Sequence, residues 1–290
     1  MSFIIDQAPV RPTYATQWLF HKEEFLRITT HHPVRTFYQY SADEVKVMLR
    51  CAIQDTSAVA APGGYYGFAE IQPSADMPAF LKYVQGDLRD SGVTRLTLTL
   101  FPEQYDPAGW KAQRNALLDA NFKLEGSMNH RLIPVTLEEN EQLASNDWRS
   151  RVNTLNEFSV TQEPLDQYQK IGQLIQRSET STSVNGNDDF VESLLSGFPE
   201  EALLFAVRDG VKYIGMAVLL QVAPGILYTL HISQLQEYAD KKPMLDLFQF
   251  VYEWAEYRDI SYIDLGQIAF GYDDNVGMEQ CTGERWVSTW

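Results

Sequence analysis

The sequence predicts an α+β protein made of two tandem copies of one unit, each a mixed sheet flanked by helices. Two observations carry that prediction: an apolar pattern that recurs at constant offset between residues 45–106 and 212–273, and a strand–helix–strand succession inside each copy. Val45, Val47, Leu49, Cys51 and Ile53 alternate with charged or small residues, and Ile214, Met216, Val218 and Leu220 stand at the equivalent places. Alternation of period two marks a strand with one buried face. The register needs no gap. Identities such as Gln54 with Gln221, Met77 with Met244 and Val84 with Val251 are few, so the shared feature is the pattern. A polar, acidic stretch at residues 140–147 separates the copies and divides the chain into an N-terminal domain, 1–144, and a C-terminal domain, 145–290.

An N-terminal stretch with Trp18, Phe20, Phe25 and Leu26 precedes the first copy, whose alternating strand leads into an extended stretch over 58–70. Residues 77–91 then set Phe80, Leu81, Val84 and Leu88 on one side at helical spacing, with Pro78 near the start and Gly92 just past the end. Residues 93–100 return as a strand, and two strands joined by a helix form a parallel, right-handed crossover. A helix over 108–120 and a strand over 130–136 close the copy. The second copy begins near Trp148, with helices over 165–177 and 188–195 around a Ser-, Thr-, Asn- and Gly-rich connection, 178–187, that reads as mobile. Asp209-Gly210, between strands over 203–208 and 212–221, is the strongest turn signal in the chain. Ala223-Pro224-Gly225 turns into a strand over 226–233. Met244, Leu247, Phe248, Val251, Trp254 and Ala255 share one face of a helix over 244–257, and 262–265 return as the parallel strand. Where the parallel strands of a copy separate they leave a wedge with unpaired backbone groups, an entry for a ligand.

Composition excludes several classes. Apolar residues make up 44% of the 290 and charged residues 21%, the balance of a folded protein rather than a disordered or fibrous one. No apolar run reaches the roughly 18 residues of a membrane span, and the first residues lack the basic-then-apolar order of a secretory leader, so a cytoplasmic location with no transmembrane segment is expected. A net charge of −16 repels phosphate backbones, and no basic tract offsets it, so no general nucleic-acid binding is expected. Cys51 and Cys281 are too few for a disulfide framework, and Cys51 alternates with apolar neighbours as a buried small side chain does. His31-His32 has no third ligand at a recognisable spacing, so no metal site is predicted. Gly-x-Ser-x-Gly, phosphate-loop, His-Glu-x-x-His and dinucleotide motifs are absent.

Certain segments resemble a known family. Ala61-Pro62-Gly63-Gly64-Tyr65-Tyr66-Gly67 is similar to the Ser-Pro-Phe-Gly-Gly type segment of the FemAB-like acyltransferases, and Pro102-Glu103-Gln104-Tyr105 to their post-strand Pro-x-x-Tyr. Residues 146–152 resemble the Asn- and Arg-containing opening of the family's second domain. Asp264-Leu265-Gly266 with Asn275-Val276-Gly277-Met278 resembles its final Asp-Leu-Gly and Asn-x-Gly-Leu pattern. The resemblance spans roughly residues 35–285 and implies two tandem GNAT-like domains, with acyl or aminoacyl transfer to an amine or hydroxyl. It implies acyl-CoA or aminoacyl-tRNA as donor substrate and a small-molecule or peptide acceptor. The chain departs from the family in two places. The turn that would hold a CoA pyrophosphate, residues 234–243, has no glycine, which leaves Lys241 and Lys242 as the candidate cofactor-binding residues. The lysine expected after Asn-x-Gly-Leu is replaced by Glu279-Gln280-Cys281-Thr282. These departures also fit a catalytically inactive GNAT-fold protein that binds a small ligand or peptide in an interdomain cleft.

Acyl transfer needs a group to take the acceptor's proton, donors for the oxyanion and a proton for the leaving group. His231 and Ser233 share a face at the C-terminal end of the wedge strand, and Asp264 on the neighbouring parallel strand is placed to orient His231 or an acceptor amine. These three are the catalytic candidates, in the C-terminal domain. The same residues also suit an ordinary half-exposed strand and a turn cap. Tyr228, Tyr272, Tyr66, Asn153 and Arg149 are the candidate substrate-binding residues. His21 and His130 carry no readable signal.

Overall fold

The computed structural model of the chain describes residues 2–6, 18–41, 44–60, 75–135, 158–176, 181–183, 188–266 and 279–290. They form two compact units, 1–129 with 281–290, and 130–280. In chain order the first unit holds β1 (Ser2–Ile5), α1 (Glu23–Thr29), β2 (Val34–Ser41), β3 (Glu44–Gln54), β4 (Ser57–Ala60), α2 (Met77–Asp90), β5 (Arg95–Leu100), α3 (Pro107–Asp119) and the start of β6 (Lys123–Pro134). The second holds the end of β6, then β7 (Ser159–Glu163), α4 (Tyr168–Gln176), β8 (Ser181–Ser183), α5 (Asp188–Gly197), β9 (Ala202–Asp209), β10 (Lys212–Ala223), β11 (Ile226–Gln234), α6 (Pro243–Glu256) and β12 (Tyr262–Asp264). A last strand, β13 (Glu279–Thr289), returns to the first unit.

The repeat read from the sequence is present in space. β3, β4, α2 and β5 run in the same order as β10, β11, α6 and β12, and each helix joins the two strands of a parallel pair. Ser57 pairs with Arg95 and Ile226 with Tyr262 in these short parallel registers. Each helix forms for local reasons. Asp76 caps α2 by accepting from the Ala79 N–H at 3.2 Å, with a proline in the first turn. Its Met77, Phe80, Leu81, Val84 and Leu88 are buried in a core with Leu49, Ala58, Leu96, Leu98 and Trp286. A side chain so buried contributes about 1.5–3 kcal/mol. Asp106 caps α3 in the same way, accepting from the Gly109 N–H at 3.0 Å.

In the second unit the strand order is β6, β12, β11, β10, β9, β7. The β9–β10 hairpin turns at Gly210, whose φ of +59° suits a residue without a side chain. α6 packs on one face of this sheet, where Phe205 meets the rings of Phe250 and Trp254 edge-on at 6.0 and 5.8 Å. α4 packs on the other, where Gly172 lies over Met216.

The division expected at 144/145 differs from these units at two strands. The end of β6 lies in the second unit, where Leu132 pairs with Asp264, and β13 lies in the first, where Trp286 pairs with Leu98. Apolar periodicity locates a strand in the chain but does not say which sheet receives it.

Candidate functional site

The site region of the second unit begins where β11 and β12 part. Their parallel register runs Ile226–Tyr262, Leu227–Ile263 and Tyr228–Asp264, and stops there, while β11 continues to Gln234. A β-bulge sets what β11 shows next: Val218 of β10 pairs with His231 and Leu219 with Thr229, so Leu230 is the extra residue. Because of the bulge, His231 and Thr229 point to opposite faces. Tyr228, His231 and Ser233 therefore share the α4 face with Asp264.

Asp264 is fully buried, and its carboxylate accepts from His130 Nδ1 at 3.2 Å and from the Gly266 N–H at 2.5 Å. Gly266 sits at φ +62°, and a Cβ there would lie 3.3 Å from the Tyr228 hydroxyl, so the phenol and this turn are in close approach. A carboxylate oxygen accepts, so Nδ1 is the ring nitrogen of His130 that this pair fixes in place. Sequence reading set Asp264 to orient His231 or an acceptor amine. The structure pairs it with His130 instead, because β6 brings His130 to the Asp264 side of β12 from 134 residues away. No motif spacing spans that distance.

His231 and Ser233 are each 1% exposed, where sequence allowed a half-exposed strand. Among the described residues neither ring nitrogen of His231 and not Ser233 Oγ has a hydrogen-bond partner. Leaving such a group unmatched costs about 1–3 kcal/mol. Burial pushes the His231 pKa below its ordinary 6.5, with the Asp188 charge opposing. The imidazole packs edge-on against the ring of Tyr168 at 5.8 Å. Tyr168 in turn donates to Asp188 at 3.2 Å, and burial with that carboxylate raises its phenol pKa. Tyr168, Gln169, Gly172, Gln173, Asp188 and Glu192 line a pocket of about 170 Å³.

The wedge expected to be open along β11 is partly closed. β8, inside the connection read as mobile, pairs antiparallel with it: Ser183 with His231, Thr182 with Ile232 and Ser181 with Ser233.

Lys241 and Lys242 end a 3-10 helix, Gln236–Lys241, between β11 and α6. Its backbone is used internally, Tyr238 N–H donating to Leu235 and Lys242 N–H to Ala239, both at 3.0 Å. Lys241 Nζ lies over the rings of Phe158 and Tyr238 at 5.8 and 5.9 Å. Such a turn does not present the row of backbone N–H groups that cradles a pyrophosphate. Tyr66, Arg149, Asn153 and Tyr272 lie outside the described residues, as do the segments 61–67, 146–152 and 275–278. Among the described residues no group of three or more His, Cys, Asp or Glu could hold a metal, and no helix is long and apolar enough to cross a membrane.

A parallel strand pair linked by a crossover helix, present twice, is the arrangement of a tandem GNAT architecture. Comparison with solved structures agrees. FemX matches with a TM-score of 0.65 at 12% identity, over 92% of this chain and 90% of FemX. A tandem GNAT protein from the clavulanic acid biosynthesis pathway matches with a TM-score of 0.55 at 11% identity, over 92% and 86% of the two chains. L-PGS from Bacillus licheniformis matches with a TM-score of 0.54 at 11% identity, over 87% and 83%. The sequence matches no family model and no curated protein. The chain has a FemAB-like tandem GNAT fold, an α+β architecture of mixed sheets with helices.

Proposed function

We propose that the protein is an acyl or aminoacyl transferase that acts on an amine, with its transfer site at the end of the β11–β12 parallel pair. The observation that carries this reading is the buried Asp264–His130 pair, placed where two parallel strands part in a fold shared with FemX and L-PGS. Asp264 fixes the imidazole so that His130 Nε2 takes the proton of the acceptor amine as its nitrogen attacks the donor carbonyl. A C–N bond forms, the donor's C–S or C–O bond breaks, and the Tyr228 hydroxyl supplies the leaving group's proton. General acid–base assistance of this kind contributes about 10²–10⁴-fold. His231 and Ser233 continue the same face, and Asp188 and Glu192 give the neighbouring pocket a charge that suits a cationic amine.

For the donor, the turn before α6 argues against tight pyrophosphate binding, and the chain's net charge of −16 disfavours a long phosphate backbone. An acyl or aminoacyl group on a small carrier fits best, with a small molecule or peptide as acceptor. The closed stretch of β11 favours a second reading, an inactive protein that retains the fold.

A transfer assay by mass spectrometry, pairing acetyl-CoA and aminoacyl donors with primary amines, separates the two. His130→Gln and Asp264→Asn are each expected to lower turnover by about a hundredfold, with circular dichroism unchanged. A bound donor at a hundredfold excess over its Kd raises stability by about 2.7 kcal/mol. Full turnover in both variants would remove the pair from the mechanism, and failure of every donor to stabilise or react would leave the inactive reading.

A further inference from the structure

β8 enters the second unit's splay. β10 pairs along the whole of one edge of β11, so β12 and β8 share the other: β12 takes Ile226–Tyr228 and β8 takes residues 231–233. The strand is three residues, Ser181, Thr182 and Ser183, and among the described strands it pairs with β11 alone. Backbone groups that the fold would otherwise offer to a ligand are thus matched by the chain itself.

The side chains on this stretch of β11 are not matched among the described residues. His231 and Ser233, two of the three residues that β8 pairs with, are buried, and their side-chain polar atoms have no hydrogen-bond partner among the described residues. A strand settled in a finished core normally comes with partners for such atoms, since buried polar groups in native proteins are nearly all hydrogen-bonded. The backbone of β8 supplies the main-chain pairing of an extended ligand, while His231 and Ser233 offer polar atoms that such a ligand would meet.

We propose that β8 is a self-inhibitory strand. It stands in for an extended, amide-bearing substrate chain on the edge of β11, and transfer requires it to leave. Strand addition of this kind gives affinity through main-chain hydrogen bonds and selectivity through the side chains that line the edge. Here the selecting groups are His231 and Ser233. The identity of the ligand rests on the transferase reading; the opening of β8 does not.

Hydrogen exchange on the full chain tests the opening without reference to activity. Thr182→Pro removes the central N–H of β8 and restricts its backbone. In this variant about one or two amides in residues 229–234 should lose protection by about tenfold or more, as alternate pairing predicts. Residues 202–223, in β9 and β10, should keep theirs. Unchanged protection at 229–234 would show that β8 does not hold the edge, and loss spreading through 202–223 would make it a core strand; either result overturns the proposal.

A second variant clamps the strand. Thr182→Cys with Ile232→Cys joins two Cα partners, while the native Cys51 and Cys281 are buried. The oxidised protein should lose transfer by about tenfold or more and regain it with dithiothreitol, because a state that cannot open has no competent population. Full activity in the clamped protein, or failure of the disulfide to form, would overturn the proposal. If the unmodified chain turns over no donor, the transferase reading falls, and the exchange result alone decides the role of β8.

Discussion

His231 shows what burial does to an ionisable side chain that has no hydrogen-bond partner among the described residues. Its folded pKa lies below the ordinary 6.5, first because the charged form would lose its hydration. Unfolded, the imidazole binds a proton as pH falls through 6.5; folded, it resists until lower pH. Between those values the unfolded state holds more protons, so stability is full above 6.5 and is lost as pH falls toward the folded pKa. A melting series from about pH 8 to about pH 5 should therefore decline more steeply in wild type than in His231→Leu, which has no proton to gain. Parallel curves would mean that the folded protein already accepts the proton, and the face shared with Ser233 would then be wetter than the structure shows. His130 differs from His231 in having Asp264 beside it, which is why the proposed mechanism uses His130 rather than His231 as its base.

Helices and turns whose residues carry their own instructions were legible. The spacing of Met244, Leu247, Phe248, Val251 and Ala255 announces α6, and all five are buried. Asp209-Gly210 announces the β9–β10 turn. β7 and β8, with the sequences Ser-Val-Thr-Gln-Glu and Ser-Thr-Ser, carry too little apolar alternation to be read as strands. They form because a neighbour offers an edge: β9 for one and β11 for the other. The bulge at Leu230 is invisible for a related reason, since it is a property of the pairing with β10 rather than of β11 alone. The caps belong to the local class. Asp76→Ala and Asp106→Ala should each reduce stability by about 1 kcal/mol, measured by urea denaturation followed by tryptophan fluorescence, to which the first unit contributes Trp18, Trp110, Trp286 and Trp290. A loss below a few tenths would mean that solvent replaces the capping carboxylate at no cost.

At the scale of the molecule, the organising fact is that each unit contains a strand that a cut at 144/145 would leave on the other piece. β5 receives β13 over six paired residues, from Leu100–Glu284 to Arg95–Thr289, and Trp286 is buried in the first unit's core. Gln85 donates to Ser288 Oγ at 2.9 Å, and the Trp290 indole donates to the Val93 carbonyl at 2.6 Å. Loss of the Trp286 side chain alone should cost about 3–5 kcal/mol, a large part of the roughly 5–15 kcal/mol that holds an ordinary domain. β12, in turn, has only three residues, all paired with β6 as well as with β11. Cutting at 144/145, the boundary that a linear reading suggests, would give one piece without β13 and another whose β12 edge is bare and prone to pair with other chains. Expressed alone, residues 1–144 should lack a cooperative melting transition, and residues 145–290 should aggregate. Adding a synthetic peptide of residues 279–290 to the first piece should restore protease resistance across β5 and α2, because the missing interactions come from that strand alone. A fragment 1–144 that melts cooperatively and ignores the peptide would show that the first unit is complete without its C-terminal strand, and that β13 adds nothing to its folding.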